Sequence, residues 1–328
     1  MGRAPHVVAV FERLAEAKSR VAFRANRRLV TPAYRAASTL ARVMPAPVAD
    51  GVARAAAFVL PHFSAAQRDM AARHQQRLAG GHLTAEELER RVAQVFLHYT
   101  RYWVDMMRMN GASTDVVNSG IRAPNASLVD DALARGNGAI MAMPHMGAWD
   151  YGGNWVAHRW GLTTVAERVE PPELFDWFVA QRVRNRMHVV ALDDPGAGNE
   201  LIGTLRRNGV VGLLCDRDIG GGGVPVTFFG EKTTMPAGPA TLSLRTGAAI
   251  FPNVVYQRDG FVEGVIKAEI QFERSGKLRA DIAALTQLVA NELESMIAAE
   301  PTQWHVLQPV WPSDPGYAHV HSPAYSPA

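Results

Sequence analysis

The sequence predicts an α/β protein, in which helices flank a central, mainly parallel β-sheet and an N-terminal helical region precedes it. The chain has 328 residues with 48% apolar and 20% charged side chains, a composition typical of a globular protein with a sizeable core. Residues 5–110 show apolar positions at helical intervals. From about residue 115, short apolar segments alternate with helix-like ones, which indicates a parallel sheet covered by helices.

The N-terminal region, residues 1–115, is predicted to pack on the core and to contact a membrane. In residues 1–49, nine basic and two acidic side chains give a net charge of +7, whereas the whole chain carries +3. A basic amphipathic helix of this kind can bind an anionic membrane surface, or it can be the solvated face of a helix packed on the core. No apolar run approaches the ~18 residues that span a bilayer, so we expect the protein to lie on a membrane without crossing it.

Residues 116–312 are predicted to form the α/β core, and residues 313–328, rich in Pro, Ser and Tyr, a loosely ordered tail. Within the core, the first predicted strand, "GAIMAM", is apolar on both faces, so we expect it at the centre of the sheet. The predicted strands are residues 138–143, 162–168, 188–192, 210–216, 249–257 and 261–270.

The segment "PHMGAWD", residues 144–150, follows this central strand and holds the main candidates for chemistry. His145 lies just past the carboxyl end of the strand, where open α/β sheets bind their ligands. On a helix, His145 and Asp150 would lie roughly 140° apart, so they can meet only if the chain turns at Pro144 and Gly147. If they meet, the carboxylate fixes the imidazole tautomer and His145 can act as a general base on a hydroxyl. In the alternative, Asp150 caps the next helix and the histidine is an ordinary loop residue.

Polar residues near the ends of other predicted strands are further candidates. Asp216, followed by Arg217, can be a second acidic partner of the site or half of a structural ion pair. Glu167 and Arg182 can form a salt bridge with each other or bind a phosphate-bearing substrate. The glycines of "CDRDIGGGGVPVTFFGE" are not followed by the Lys-Ser/Thr of a phosphate loop, so we expect a flexible loop there.

Several functional classes are disfavoured. The single cysteine, Cys215, excludes a disulfide framework and a Cys-rich zinc site. No second His or Cys lies near His145 at ligand spacing, so we expect no metal. No serine lies in a G-x-S-x-G pattern, which argues against a hydrolase of the nucleophile-elbow type. The basic N-terminus lacks any nucleic-acid-binding motif, so nucleic acid is not an expected partner.

The order of these segments resembles that of a known family. "PHMGAWD" resembles the H-x4-D block of the lysophospholipid acyltransferase superfamily. Within that superfamily the chain is similar to the lipid A biosynthesis acyltransferase branch, and in particular to the phosphatidylinositol mannoside acyltransferases of actinobacteria. The supporting stretches, which cover roughly residues 95–312 in the family's order, are "RYWVDMMRM", "AERVEPPELFDWFVAQR", "LLCDRD", "VTFFGE", "MPAGPATLSLRTGAAIFP" and "WHVLQPVW".

This resemblance implies transfer of a long fatty acyl chain from acyl-CoA, a co-substrate, to a mannose hydroxyl of a phosphatidylinositol mannoside, with no cofactor. His145 would be the general base, Asp150 its orienting partner and Asp216 a second acidic contact. The residues expected to contact substrate are Glu167, Arg182, Arg217 and Trp149.

The implied location is the cytoplasmic face of the inner membrane, where a peripheral protein would meet acyl-CoA, a glycolipid acceptor and an anionic surface. The alternatives are an acyltransferase of the lipid A or lysophospholipid type, and a non-catalytic carrier of acyl-CoA or lipid. A carrier would bind acyl-CoA without releasing free thiol when an acceptor is added.

Overall fold

The structure, a computed structural model, describes residues 30–219 and 221–321, and it confirms the predicted fold class. The helices are α1 (30–43), α2 (Ala46–Phe63), α3 (Ala65–Leu78), α4 (Ala85–Arg108), α5 (Thr114–Ser119), α6 (Ser127–Ala134), α7 (Trp149–Trp160), α8 (Pro172–Arg184), α9 (Ala197–Arg206), α10 (Gly238–Thr246), α11 (Leu278–Ala299), a 3-10 turn (Pro301–Gln303) and α12 (Tyr317–Val320). The strands are β1 (Ile121–Arg122), β2 (Ala139–Met143), β3 (Leu162–Ala166), β4 (Met187–Ala191), β5 (Val210–Leu214), β6 (Val224–Phe228), β7 (Glu231–Met235), β8 (Ala249–Arg258) and β9 (Phe261–Ile266).

The central sheet has seven strands in the order β1-β9-β8-β2-β5-β3-β4, and only the β8–β9 pair is antiparallel. As predicted, β2 lies at its centre and is buried at every position. Ile140 and Ala142 belong to an apolar cluster with α9, α10 and α11, whereas Met141 and Met143 belong to a second cluster with α6 and α7. Helices cover both faces of the sheet, which is why an uninterrupted apolar strand is stable there.

The described part of the N-terminal region is helical, as predicted, and consists of α1 to α5. The Thr84 side chain accepts a hydrogen bond from the Glu87 N–H (3.2 Å) and caps α4. Phe96 of α4 and Ala71 of α3 pack around Leu307, which ties these helices to the C-terminal part of the core. Residues 1–29, with seven of the nine basic side chains counted above, lie outside the described residues.

In residues 30–219 and 221–321, we find no helix with both the length and the apolar character needed to cross a membrane. The predicted division of the chain at residue 115 stays a prediction. At the other end, Asp314 is buried and accepts hydrogen bonds from the N–H groups of Val310 and Trp311, so the packed chain extends past Ser313. The last residues of the predicted tail, 322–328, lie outside the described residues.

The hairpin β6–β7 is absent from the predicted strands. Val226 and Phe228 are buried and alternate with outward-facing neighbours, which is the period of a half-buried strand. Its turn places Phe229 and Gly230 at φ 48° and 75°, as a two-residue hairpin turn requires. The strand replaces part of the flexible loop that was expected here; Pro225 is compatible with it because proline, which lacks a ladder donor, is tolerated in edge strands.

The turn between β2 and α7 is held from two sides. The Gly147 N–H donates to the Gln303 carbonyl (2.9 Å), and the Ala148 N–H donates to the Val255 carbonyl in β8 (2.8 Å). Gly147 has φ +60°, and a Cβ at this position would overlap the Val255 carbonyl oxygen. Glycine is therefore required by both its backbone conformation and its close contact with β8.

We expect Gly147→Ala to lower the free energy of unfolding by about 2 kcal/mol or more, because an L-residue in the left-handed region costs about 1–2 kcal/mol and the overlap with Val255 adds to it. Gly111→Ala is the matched control, since Gly111 has φ +70° but no atom lies within 4 Å of the place that an alanine Cβ would occupy. Urea unfolding of both variants measures the difference. Equal losses in the two variants would contradict the steric argument.

Candidate active site

His145 and Asp216 lie just past the carboxyl ends of two neighbouring parallel strands. Where β2 pairs with β5, Met143 is opposite Leu214. His145 lies two residues after Met143, and Asp216 lies two residues after Leu214. The pairing continues beyond the strands, because the Cys215 N–H donates to the Met143 carbonyl (3.0 Å). The parallel register therefore brings the imidazole and the carboxylate together.

Asp216 is fully buried, and each of its oxygens is hydrogen-bonded. The imidazole Nδ1 of His145 lies 2.6 Å from Oδ1. The backbone N–H of His145 (2.9 Å) and the indole N–H of Trp304 (2.7 Å) both donate to Oδ2. Three donors from two segments of the chain thus meet one carboxylate.

These contacts determine the state of the pair. Burial alone would raise the pKa of Asp216, but His145 and the three hydrogen bonds hold it below its ordinary value. Asp216 is therefore ionised at neutral pH and accepts the Nδ1–H of His145, so Nε2 is the ring nitrogen that remains available to a substrate. In the described part of the chain, this Nε2 has no hydrogen-bond partner, and the side chain is 20% exposed. The imidazole is thus oriented to accept a proton at Nε2.

The Asp150 carboxylate forms no hydrogen bond with the His145 imidazole, contrary to the expected pairing. Its carboxylate accepts hydrogen bonds from the Tyr102 hydroxyl (2.6 Å) and from Arg182 Nη2 (3.0 Å). The chain does turn after β2, but Asp150 lies in the first turn of α7 and is held there by side chains of α4 and α8. The alternative role as a helix cap is also wrong, because the N-cap residue of α7 is Ala148.

The Asp150–Arg182 salt bridge is largely buried, with Tyr102 as a third member. Burial would lower the pKa of Arg182, but the Asp150 charge raises it, so the guanidinium stays charged. Burial, together with the Asp150 charge, raises the pKa of Tyr102 well above its ordinary value, so its hydroxyl remains a donor. Arg182 thus forms its ion pair with Asp150 and not with Glu167, the partner considered from the sequence.

Trp149 packs within a group of rings beside the pair. It stacks on Tyr102 with centroids 3.9 Å apart and lies 4.9 Å from the His305 ring. Its ring meets that of His145 edge-on at 5.5 Å. Burial lowers the pKa of His305 to about 3, so this imidazole is neutral and its Nε2–H donates to the Gly147 carbonyl (3.2 Å).

Three residues of this site were not among the predicted candidates: Tyr102, Trp304 and His305. Tyr102 lies on α4, where its side chain is buried and its hydroxyl donates to Asp150. Trp304 and His305 lie in "WHVLQPVW", a stretch that indicated only the family resemblance. A buried Tyr or Trp needs a partner for its O–H or N–H, and that requirement was the available signal.

A cavity of about 300 Å³ opens beside His145. Most of its wall is apolar, whereas Glu167 and Arg217 add charged groups to its lining. Burial raises the pKa of Glu167, and the charges of Arg217 and His145 act in the opposite direction. The apolar part of the lining includes Met143, Leu162, Phe175, Phe178, Met187 and Leu213.

The cavity brings most of the predicted site residues together. Trp149, Asp150 and Arg182 line it as well as His145, and Asp216 lies behind His145. Nowhere in the described ranges, this site included, are three His, Cys, Asp or Glu side chains grouped as metal ligands would be. The arrangement combines an imidazole with a free nitrogen, adjacent charged groups and an apolar cavity, which suits chemistry at the polar end of a long apolar ligand.

Comparison with known proteins identifies the family. The profile of the bacterial lipid A biosynthesis acyltransferases matches residues 16–313. Proteins named phosphatidylinositol mannoside acyltransferase from two strains of Mycobacterium tuberculosis are 37% identical over 225 residues, which cover 66% of this chain and 68% of each relative. The protein of that name from Mycolicibacterium smegmatis is 35% identical over 224 residues, or 66% of this chain and 70% of its own. The chain is therefore an acyltransferase and belongs to the bacterial lipid A biosynthesis acyltransferase family, as its ordered motifs predicted.

Proposed function

We propose that this acyltransferase moves a long-chain fatty acyl group from acyl-CoA to a mannose hydroxyl of a phosphatidylinositol mannoside, with His145 as the general base. The observation that carries the proposal is the His145–Asp216 pair, whose free Nε2 lies at the lining of an apolar cavity. The names of the mycobacterial relatives support the acceptor class.

The acyl chain would occupy the apolar cavity, with its thioester beside His145. A thioester of coenzyme A has a long apolar chain at one end and a charged nucleotide at the other. The lining has both characters, because methionine, leucine and phenylalanine side chains form much of it while Glu167 and Arg217 add charged groups close enough for Glu167 to feel the charges of Arg217 and His145. Arg217 is a cation at the position where phosphates or a developing oxyanion would carry negative charge.

The transfer would be direct, without an acyl-enzyme intermediate. His145 Nε2 takes the proton of the acceptor hydroxyl while its oxygen attacks the thioester carbonyl carbon, and the carbonyl becomes an oxyanion. When that intermediate collapses, the C–S bond breaks and the leaving thiolate takes the proton from the His145 imidazolium. Asp216 stabilises the imidazolium in between. The only cysteine in the chain, Cys215, is a poor nucleophile, because burial raises the pKa of its thiol well above the ordinary value.

Asp150 would position the side chains that line the cavity rather than the imidazole of His145. It binds Arg182 and Tyr102, and Tyr102 stacks on the Trp149 ring next to His145. Glu167, Arg182, Arg217 and Trp149 all line the cavity and remain the proposed substrate contacts.

The N-terminal helices would bind the cytoplasmic surface of the inner membrane, where a peripheral enzyme meets a lipid acceptor. On α2, Val48, Val52, Val59 and Phe63 lie within about 60° of one another around the helix axis. All four are exposed, Phe63 to 84%. An apolar face of this kind, close in sequence to the basic residues 1–49, fits an anionic lipid surface.

The reaction is tested by thiol release from palmitoyl-CoA with a panel of glycolipid acceptors, followed by mass spectrometry of the products. We expect coenzyme A and acylated acceptor to form together with phosphatidylinositol mannosides. His145→Ala should reduce the rate about 1,000-fold or more, and Asp216→Asn about 100-fold or more, because each removes part of the proton transfer.

His188→Ala is the control for the first variant, since His188 also hydrogen-bonds a carboxylate, that of Glu200, on an exposed surface. It should transfer acyl groups at the wild-type rate. Acyl transfer at the wild-type rate by His145→Ala would contradict the general-base mechanism. Binding of one acyl-CoA per chain with no thiol released to any acceptor would instead identify a carrier.

The cavity makes a separate prediction about acyl-chain length. A Cβ at Gly153 would lie 3.3 Å from Met187 Cε and 3.7 Å from Leu162 Cδ2, so a larger side chain enters the apolar part of the cavity. We expect Gly153→Val to lower kcat/KM for palmitoyl-CoA at least tenfold and to leave that for octanoyl-CoA within about threefold. Met187→Ala enlarges the same space and should favour longer chains. Equal losses of Gly153→Val with both donors would show that the acyl chain lies elsewhere.

Membrane binding is tested by sedimentation with vesicles of phosphatidylcholine and phosphatidylinositol. The double variant Val52→Ser/Val59→Ser should bind about 30-fold more weakly, because each half-exposed valine contributes roughly 1 kcal/mol when it enters an apolar phase. The control, Val116→Ser/Val183→Ser, changes two valines of similar exposure on α5 and α8 (53% and 56%, against 45% and 48% on α2). If the two double variants lose binding equally, the α2 face is not the membrane contact.

A further inference from the structure

We infer that Trp304 is a positioning residue for the proposed reaction, because its indole N–H holds the Asp216 carboxylate in the orientation that binds His145. The inference rests on the proposed role of His145 as general base. Trp304 is not part of the cavity lining and does not contact His145 Nε2, so it would act only through Asp216.

The two carboxylate oxygens have separate partners. Oδ1 of Asp216 faces His145 Nδ1 at 2.6 Å, and Oδ2 accepts from the Trp304 indole at 2.7 Å and from the His145 backbone N–H at 2.9 Å. Trp304 is 1% exposed and Asp216 0%, so the indole is shielded from solvent where it meets the carboxylate. Without the indole donor, Oδ2 would keep only the His145 backbone N–H, and both remaining partners of the carboxylate would belong to the residue that it has to orient.

The backbone fixes the indole relative to the imidazole. Residues 303–305 run antiparallel to residues 145–147, with Met146 opposite Trp304. The Gly147 N–H donates to the Gln303 carbonyl (2.9 Å), and the His305 N–H approaches the His145 carbonyl (3.4 Å). Trp304 is therefore carried by the segment that is directly paired with the histidine loop.

Neighbouring rings prevent the indole from swinging away. The His74 ring lies 5.1 Å from that of Trp304, and its Nδ1 is 3.0 Å from the Val306 carbonyl while its Nε2 is 3.3 Å from Asp314. Trp311 meets Trp304 edge-on at 5.9 Å. A rigid donor whose direction is set by its own packing can orient a carboxylate better than a flexible side chain could.

The test compares Trp304→Phe with Trp311→Phe. Trp311 is also fully buried in this cluster, and its indole N–H donates to the Phe228 carbonyl (3.0 Å) and not to the site. Each variant keeps an aromatic ring and loses one buried indole hydrogen bond, so similar decreases in melting temperature are expected. We expect kcat of acyl transfer to fall about 10- to 100-fold in Trp304→Phe with KM within twofold, and to stay within about twofold of wild type in Trp311→Phe.

A second measurement does not depend on activity. The proton shared by His145 Nδ1 and Asp216 should give a downfield proton NMR resonance, assigned by its loss in His145→Ala. Trp304→Phe should shift or broaden this resonance, and Trp311→Phe should leave it in place. An unchanged resonance in Trp304→Phe, or equal changes in both variants, would overturn the positioning role. If the wild-type protein transfers no acyl group, the proposed function fails, and the resonance still decides the role of Trp304.

Discussion

The buried carboxylate of Asp216 is the constraint on which the site depends. An ionised group with no exposed surface is stable only if donors surround it, and here the donors come from the His145 loop and from Trp304 near the C-terminal end of the core. Meeting that requirement joins the ends of β2 and β5 to a segment nearly a hundred residues further along the chain. The same contacts keep the pKa of Asp216 low and orient the His145 imidazole, so the charge of the carboxylate and the direction of the ring have one physical origin.

The turn between β2 and α7, which carries His145, is fixed by the elements around it. Gly147 lets the chain leave β2 and approach β8 closely enough to hydrogen-bond its backbone, which no side chain at that position would permit. The loop therefore has β5 on one side, β8 on another and residues 303–305 along it. Asp150, at the start of α7, performs a different task, because it neutralises Arg182 and orders the rings that line the cavity.

The N-terminal helices and the α/β core contribute different features. The core holds the His145–Asp216 pair and an apolar cavity, whereas α2 exposes an apolar face to the surroundings. α4 connects them: it packs with α3 around Leu307 and extends Tyr102 to Asp150. A lipid acceptor would need both parts, because one end of it stays in a membrane while the other reaches His145.

Local patterns in the sequence determined the fold class and the central position of β2, because each depends on neighbours along the chain. The ordered motifs also determined the family. Only the tertiary structure decided the partner of the imidazole. The H-x4-D spacing pointed to Asp150, but parallel strands align residues that are far apart in sequence, and the β2–β5 register places Asp216 beside His145. Trp304 was beyond sequence reasoning for the same reason, since a buried indole shows its partner only when the chain is folded around it.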